Sequence, residues 1–397
     1  MGDQGLDRGG QGRRDPGRHA ASDGPPSRGR AGAAREGDRG RGRVPGLRAA
    51  EGRRDGAGRE SDVAPAALPP DDARDQLRAL VDDHPAAADR ALPPADRSRR
   101  LRAEKLTSEV RRDPLSGRTV VIAPERAKRP GAKRGALEPP TAKELEECPF
   151  CEGREDRTPP EIFAVAPPGR KANSPGWQVR VVPNLYPAFE HQEVVVHTPR
   201  HVRSLAELTD EELPPVASAW HERLTAARTA GFEQVQLLVN EGREAGASLP
   251  HSHSQLVWLR DAPPTVADEL PRLRKDDCAL CGLLAVDGLE IAFEDSLSLR
   301  AAPAGRMPYE LLIAPRAHEA QPASAELQGA LGLLRTAITR LRELEGPVPL
   351  NAWLHAGAHW HFEVVPRLTV LAGLELGAGL YVNWLPPEEA AERLRRG

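Results

Sequence analysis

Short runs of β-branched and apolar residues, bounded by Pro, Gly and Asn, recur along the chain from about Leu106 onward. Such runs are typical of β-strands. Between two of them, residues 209–231 have helical periodicity, with Thr209 and Glu212 at capping-box spacing and Gly231 placed to end the helix. The strands predicted for this half are residues 119–124, 177–183, 193–199, 235–240 and 255–259.

The second half repeats this order. Residues 291–303 and 309–315 are each predicted to form one strand, and residues 323–343 an amphipathic helix. Two further strands are predicted at residues 349–355 and 361–367. Mixed strands with one long helix in each half indicate an α+β fold.

Composition separates the first 104 residues from the rest. Residues 1–60 hold 16 Gly and 14 Arg against nine acidic residues, and residues 61–104 stay rich in Ala, Pro, Asp and Arg. Segments with so little apolar surface to bury remain disordered, so residues 1–104 are predicted to be a disordered extension and linker. Arg-Gly tails can bind RNA, but this one has no interleaved aromatic residues.

Charge and hydropathy exclude other classes. No run of 18 apolar residues exists that could span a membrane, and the N-terminus lacks the apolar segment of a secretory signal. The formal net charge is −3, and the chain after residue 60 is net acidic, which argues against a dedicated nucleic-acid binder. We therefore expect a soluble, cytoplasmic protein.

The four cysteines form two CxxC pairs, and each pair begins the same series of motifs. The first series is Cys148, Cys151, His201 and His251-Ser-His253, and the second is Cys278, Cys281, His318 and His359-Trp-His361. From the second cysteine to the first histidine the gaps are 50 and 37 residues, and from there to the HxH motif they are 50 and 41. Two series in one order indicate a duplicated domain.

Each series has the residue types of a zinc site. A CxxC turn brings two thiolates to one ion, and sulfur with imidazole nitrogen suits tetrahedral Zn²⁺. Without an export signal, CxxC pairs favour metal over disulfides. His197 competes with His201, and His355 with His359, as the histidine that closes a site. The predicted ligand sets are Cys148, Cys151, His201 and His251, and Cys278, Cys281, His318 and His359.

The first HxH motif is the candidate for catalysis. Alternate residues of a strand face the same side about 6.6 Å apart, so a zinc ligand at His251 would hold His253 beside a rigid site. Gln255 would share the face of His253 and could donate to a phosphoryl oxygen. Gly242, Gly246 and Ser248 precede this motif and can wrap closely around an anion. The second motif has no such Gly/Ser approach in the residues before it, LNAWLHAGAHWH, which predicts a structural role for it.

A cluster of basic side chains follows the first predicted strand. Arg126, Lys128 and Arg129 come within four residues of one another. Arginine forks suit phosphate oxygens, although such a cluster is usually a solvated face. The cluster alone therefore gives weak support for phosphate binding.

Four stretches together resemble the galactose-1-phosphate uridylyltransferase family, a branch of the histidine-triad superfamily with two fused repeats. The most specific is NEGREAGASLPHSHSQ, residues 240–255. The others are residues 111–130, residues 147–164 with 177–189, and residues 359–367 with 371–383. The second CxxC pair matches a subgroup with two zinc sites.

The resemblance implies a covalent mechanism. His253 would attack the α-phosphorus of UDP-glucose, release glucose 1-phosphate and pass the uridylyl group to a hexose 1-phosphate, galactose 1-phosphate in the family. Gln255 would stabilise the phosphoryl group. The carbonyl of His251 would hold the nucleophile's other nitrogen. Residues that match the family's nucleotide, phosphate or hexose contacts are Arg126, Arg129, Asn184, Asn240, Ser248 and Glu375.

The chain departs from the family pattern at two of these places. Ser252 replaces the proline that usually separates the two histidines, and Tyr381 stands about where other members have a hexose-binding glutamine. The second departure concerns the acceptor, because some relatives in the two-zinc subgroup are phosphorylases that use inorganic phosphate on ADP-glucose.

The sequence thus predicts an N-terminal repeat at 105–262 with the catalytic motif and a C-terminal repeat at 263–397 with a structural zinc and hexose contacts. The expected activity is uridylyl transfer from UDP-glucose to a hexose 1-phosphate in galactose metabolism, and the family tends to form homodimers. One alternative is the same nucleophile with phosphate or water as acceptor. Another is a non-catalytic zinc module.

Overall fold

The computed structural model describes residues 108–128 and 139–397, so the extension predicted at 1–104 lies outside the described residues. In chain order its elements are β1 (Glu109–Arg112), β2 (Thr119–Ile122), α1 (Ala142–Glu147), β3 (Phe163–Val165), β4 (Val179–Pro183), β5 (His191–Val196), α2 (Leu213–Thr229), β6 (Gln234–Glu241), β7 (His253–Leu259), α3 (Pro264–Glu269), α4 (Ala279–Leu284), β8 (Glu290–Glu294), β9 (Leu297–Ala301), β10 (Leu311–Pro315), α5 (Ser324–Glu345), β11 (Leu350–His355), β12 (His361–Pro366), α6 (Gly373–Ala378), β13 (Leu380–Asn383) and α7 (Pro387–Arg396). The predicted α+β fold is confirmed.

A ten-stranded sheet carries most of the fold. Its order is β3-β4-β5-β7-β6-β11-β12-β10-β9-β8, with antiparallel neighbours throughout. Counted inward from its own edge, each half therefore contributes its five strands in the same sequence. The halves meet where β6 pairs with β11, and Asn240 lies opposite Asn351 there. A smaller sheet, β1-β2-β13, joins the start of the described chain to its end.

The two faces of the large sheet differ in chemistry. Alternate strand residues point to opposite faces, and in β6 the residues Val235, Leu237 and Val239 are buried whereas Gln236 and Asn240 are only half-buried. The buried residues pack with α2, α5 and α7 in one continuous core that includes Trp220 of α2. Burial of a large apolar side chain contributes about 1.5–3 kcal/mol. The helices thus cover one face and leave the polar face available for ligands.

Two boundaries differ from the sequence prediction. Helix α2 begins at Leu213, because Pro214 and Pro215 occupy the first turn, where a missing N–H costs least. Glu212 still accepts the backbone N–H of Thr209 at 2.9 Å, but this bond closes a turn ahead of the helix. Residues 291–303, predicted as one strand, form the hairpin β8–β9, with Asp295 at its turn in a left-handed conformation (φ 50°).

Among the described residues, no helix is long and apolar enough to cross a lipid bilayer. The elements that the sequence pattern missed are short: β1, β3 and β13, and the helices α1, α3, α4, α6 and α7. Short elements show too few periods of hydrophobic alternation to be recognised. They matter for the site, since α1, α3 and α4 adjoin the cysteine and histidine clusters.

Candidate functional site

The first cysteine pair and two histidines converge at one point. Sγ of Cys148 lies 3.4 Å from Nδ1 of His251, and Sγ of Cys151 lies 3.4 Å from Nδ1 of His201 and 3.7 Å from Nδ1 of His251. The four potential ligand atoms all lie within 4.8 Å of one another. Cys148 caps the C-terminus of α1, and the two histidines follow β5 and precede β7. Two sulfurs and two imidazole nitrogens at this spacing suit one tetrahedral ion.

Hydrogen bonds orient both histidine rings of this cluster. Nε2 of His201 lies 2.8 Å from Glu144, and Nε2 of His251 lies 2.9 Å from the carbonyl oxygen of Thr198. Arg203 hydrogen-bonds Glu144 and, together with His201, lowers the pKa of that carboxyl group. Partners at Nε2 assign the proton to that nitrogen and leave Nδ1 as the ligand atom.

The second cluster has the same donor set. Sγ of Cys278 lies 3.3 Å from Nδ1 of His359, and Sγ of Cys281 lies 3.5 Å from Nδ1 of both His318 and His359. Nε2 of His359 lies 3.1 Å from the carbonyl oxygen of Pro315. Both sets of four thus come together as their spacing predicted. The two competing histidines, at positions 197 and 355, lie in neither set.

Burial sets the charge state of these groups before any ion binds. It raises the pKa of Cys151 to about 12, with a further contribution from Cys148, and it raises the pKa of Cys281 to about 11. Burial also lowers the pKa of His251 to about 4. At neutral pH the two thiols are therefore protonated, while His251 is already neutral. Metal binding must release thiol protons.

Zinc affinity is consequently expected to rise with pH. Since Cys151 and Cys281 are protonated below their raised pKa values, each cluster should gain about one or more units of log affinity per pH unit between pH 6 and 8. Competition with a chromophoric chelator measures this slope. A Cys278→Ser/Cys281→Ser variant isolates the first cluster. An affinity that does not change with pH would contradict thiolate ligation.

A third buried group of potential ligands has no counterpart among the motifs predicted from the sequence. Glu269, His355 and His361 place their ligand atoms within 4.8 Å of one another. Nδ1 of His355 lies 2.8 Å from Glu269, and the rings of His355 and His361 stack 4.6 Å apart. Burial alone would lower the pKa of His355, but Glu269 and Glu363 raise it overall. Glu269 stands far from the two histidines in sequence, and no local motif marks it.

His253 has the geometry of a nucleophile. Nδ1 lies 2.7 Å from the carbonyl oxygen of His251, so the Nδ1 proton is donated there and Nε2 carries a lone pair. Burial lowers the pKa of His253 against the opposing effect of this hydrogen bond, which keeps the ring neutral at pH 7. His251 itself precedes β7, so the expectation that both rings share one strand face is wrong. The backbone carbonyl of His251 links them instead.

Gln255 lies on the same face as His253, two residues along β7. Its cross-strand partner Leu238 points to the polar face, and partners in a ladder share a face. Nε2 of Gln192 donates to Oε1 of Gln255 at 3.0 Å. This bond fixes the amide group so that its own N–H groups remain as donors for a ligand.

A cavity of about 590 Å³ opens on the polar face where the two halves meet. Asn240 lies on its wall and accepts a hydrogen bond from Asn351 at 2.8 Å. Ser254 pairs with Val239, and both residues point to the core face of the sheet. Their neighbours His253 and Asn240 therefore point to the opposite, polar face. The lining residues are Ser116, Arg118, Gln236, Leu238, Asn240, Pro263, Thr265, Val266, Asp268, Arg306, Asn351, Trp353, His355 and Tyr381.

The second HxH motif is closed by its surroundings. His361 is fully buried, and burial lowers its pKa to about 3. Glu363 stands where the first motif has Gln255 and forms ion pairs with Arg306 and Arg118. Burial would raise the pKa of Glu363, but Arg306 foremost, followed by His355 and Arg118, lowers it to about 2. This carboxylate is therefore ionised and paired with arginines, whereas Gln255 is uncharged, half-buried and hydrogen-bonded to Gln192.

The remaining predicted contact residues lie on separate loops. Arg126 is exposed in a short 3₁₀ helix after β2, and Arg129 lies outside the described residues. Oδ1 of Asn184 accepts the backbone N–H of Tyr186. Ser248 is exposed before the HxH motif, and Glu375 caps its own helix α6 through the backbone N–H of Ala372. Of the described members of this set, Asn240 alone lines the cavity.

Comparisons with known proteins agree with this geometry. A family model for the N-terminal domain of galactose-1-phosphate uridyl transferase matches residues 187–264. The ADP-glucose phosphorylase of Arabidopsis thaliana is 29% identical over 334 residues, which are 74% of this chain and 93% of that protein. The galactose-1-phosphate uridylyltransferase of Thermotoga maritima is 26% identical over 322 residues, which cover 72% of this chain and 98% of that protein.

A solved structure supports the same fold. The crystal structure of an ADP-glucose phosphorylase from Arabidopsis thaliana with bound ADP-glucose superposes with a TM-score of 0.64 at 27% identity. The superposition covers 73% of this chain and 99% of that one. The family model spans β7, so the residues that it matches include the first HxH motif.

Proposed function

Because the chain belongs to the galactose-1-phosphate uridylyltransferase family, we propose that it is a nucleotidyltransferase whose covalent intermediate forms on His253. The observation that carries the proposal is the 2.7 Å contact between Nδ1 of His253 and the carbonyl oxygen of His251. A neutral imidazole held at one nitrogen presents the other as a nucleophile. His253 lies on the polar face of the sheet, the face on which the cavity opens.

The proposed reaction has two displacements at one phosphorus atom. Nε2 of His253 attacks the α-phosphorus of a nucleoside diphosphate sugar, and the bond from phosphorus to the bridging oxygen breaks as the sugar 1-phosphate leaves. An acceptor phosphate oxygen then attacks the same phosphorus and breaks the P–N bond. Both leaving groups and acceptors are already anionic, so the protein contributes positioning and charge stabilisation.

Gln255 and Asn240 are the residues placed to assist this transfer. Gln255 lies on the same face of β7 as His253 and accepts a hydrogen bond from Gln192 through Oε1, and Asn240 lies on the cavity wall. We assign the cavity to the nucleotide sugar, since polar amides and aromatic surfaces such as Trp353 suit a sugar or a base. The other proposed contacts are Arg126, Arg129, Asn184, Ser248 and Glu375.

Zn²⁺ is the proposed cofactor of both Cys₂His₂ clusters. In the first cluster it would fix His251, whose carbonyl holds the nucleophile. In the second it would stabilise the fold, because the neighbouring His361 is buried. The two clusters and the matching strand order support a further proposal, that residues 105–262 and 263–397 are duplicated repeats.

The acceptor separates two candidate activities. The first is uridylyl transfer from UDP-glucose to a hexose 1-phosphate, as in the uridylyltransferase relatives. The second is phosphorolysis of ADP-glucose, which the Arabidopsis relative and its ADP-glucose-bound structure favour. Tyr381 on the cavity wall stands about where the family places a hexose-binding glutamine, and this also bears on the acceptor.

Intact-mass spectrometry after brief incubation with each nucleotide sugar tests both candidates. A uridylyl adduct that galactose 1-phosphate discharges is the result expected for the transferase. An adenylyl adduct that inorganic phosphate discharges would assign the phosphorylase instead. Zinc-loaded, folded protein that forms no adduct with either donor would reject the covalent mechanism.

A further inference from the structure

The side of β7 opposite the nucleophile carries a buried hydrogen-bonded group. Ser252 and Ser254 flank His253, and the hydroxyls of both contact one imidazole. Nδ1 of His197 lies 2.9 Å from Oγ of Ser252, and Nε2 lies 3.0 Å from Oγ of Ser254. Nε1 of Trp220 donates to Ser254 at 2.8 Å, and His197 has no solvent exposure. We refer to His197, Ser252 and Ser254 as the serine clamp.

One assignment of donors and acceptors pairs all the polar groups of the serine clamp. The indole of Trp220 can only donate, so Oγ of Ser254 accepts from it and keeps its own proton for Nε2 of His197. Nδ1–H of His197 is then available to donate to Oγ of Ser252. Loss of the imidazole would leave Oγ of Ser252 without the partner that His197 provides and the hydroxyl proton of Ser254 without its acceptor, at a cost of about 1–3 kcal/mol for a buried group left unpaired.

The second half holds its HxH motif by a different means. Trp360 and Phe362 flank His361 in place of the two serines, and both are buried in the main core. Apolar packing fixes that strand. In the first half the same two flanking positions are polar. Hydrogen bonds to His197 must therefore fix this strand, as side-chain packing fixes the corresponding strand of the second half.

The clamp acts on the part of the backbone that sets the nucleophile's orientation. The carbonyl of His251 precedes Ser252 directly and accepts the Nδ1 proton of His253. The backbone N–H of Ser252 also donates to the carbonyl oxygen of Val202 at 2.7 Å. A shift at Ser252 would therefore move both the carbonyl that holds the ring and the ring itself.

We propose that His197 is a positioning residue for nucleotidyl transfer, which holds Ser252 and Ser254 so that Nε2 of His253 points at the α-phosphorus. The proposal rests on the function proposed for His253. His197 lies on the opposite side of β7 from the nucleophile and does not touch the substrate. Its removal should therefore affect the chemical step more than donor binding.

Single-turnover kinetics of the zinc-loaded full chain test this. In His197→Leu, the rate of adduct formation at saturating donor should fall about 10- to 100-fold, the scale of an ångström-sized misplacement, while the half-saturating donor concentration changes less than about threefold. His197→Asn, which keeps a polar group for Ser252, should recover part of the rate. His221→Ala, on α2, is the control and should match the wild type. A His197→Leu rate within threefold of the wild type would overturn the proposal.

Hydrogen exchange provides a readout that needs no substrate. Peptides that cover Ser252–Ser254 should exchange faster in His197→Leu, while peptides that cover Trp360–Phe362 should not change. Unchanged exchange at both places would overturn the clamp even in an active enzyme. A wild-type protein without any adduct would instead reject the function of His253, and the exchange result would still decide whether His197 holds this strand.

Discussion

A His253→Ala variant is expected to form no nucleotidyl adduct and to lose activity by a factor on the order of 10³ or more, the scale seen when a catalytic nucleophile is removed. Alanine removes the atom proposed to attack, Nε2, while the cavity and its wall residue Asn240 are retained. The absence of the adduct is read by intact mass, and the residual rate by product formation. Zinc content and melting temperature should stay close to the wild-type values, because His253 is not among the predicted metal ligands.

The matched control is His361→Ala, at the same place in the second HxH motif. Its Nδ1 also lies close to a histidine carbonyl, that of His359, at 3.2 Å. Yet it is fully buried against His355, so the first motif alone should carry the adduct. An adduct that persists in His253→Ala and disappears in folded His361→Ala would show that the second half carries the nucleophile and that the proposal for His253 is wrong.

Sequence patterns predict most of this fold because the same order of strands, helix and metal-ligand motifs occurs in both halves of the chain. The strand of His253 and Gln255 and the helix that ends before Gly231 have clear periodicity, and CxxC spacing marks both metal clusters. These features depend on residues that lie close in sequence, or on a motif that occurs twice. The α+β fold and the resemblance to the family followed from them.

Other parts of the site depend on contacts that no local pattern records. Glu269 joins His355 and His361 only because α3 folds back over the sheet, and the cavity forms only where β6 meets β11. His197 was predicted as a competing zinc ligand, since it is the right residue type near the right place. Its ring instead lies between Ser252 and Ser254 at the start of β7, and a spacing argument cannot tell which side of a strand a ring will face.

The two metal clusters should differ in their effect on catalysis, although their ligands are the same. In the first half one residue, His251, is both a cluster member and the holder of the nucleophile, through its Nδ1 and its carbonyl oxygen respectively. In the second half His359 holds His361 in the same way, but that ring is not proposed to react. A metal lost from the second cluster should cost stability, whereas a metal lost from the first should cost stability and activity together.

Cys148→Ser and Cys278→Ser are the variants that separate these effects. Each should lose about one equivalent of zinc and lower the melting temperature by roughly 10 °C, because structural zinc contributes several kcal/mol to folding and each kcal/mol is worth about 2–4 °C in a chain of this size. The rate of adduct formation should fall about 100-fold or more in Cys148→Ser, since the carbonyl of His251 is no longer fixed. In Cys278→Ser, measured below its melting temperature, the rate should stay within about threefold of the wild type. Equal losses of rate in the two variants would show that both clusters only stabilise the fold, and that the proposed link from zinc through His251 to His253 is wrong.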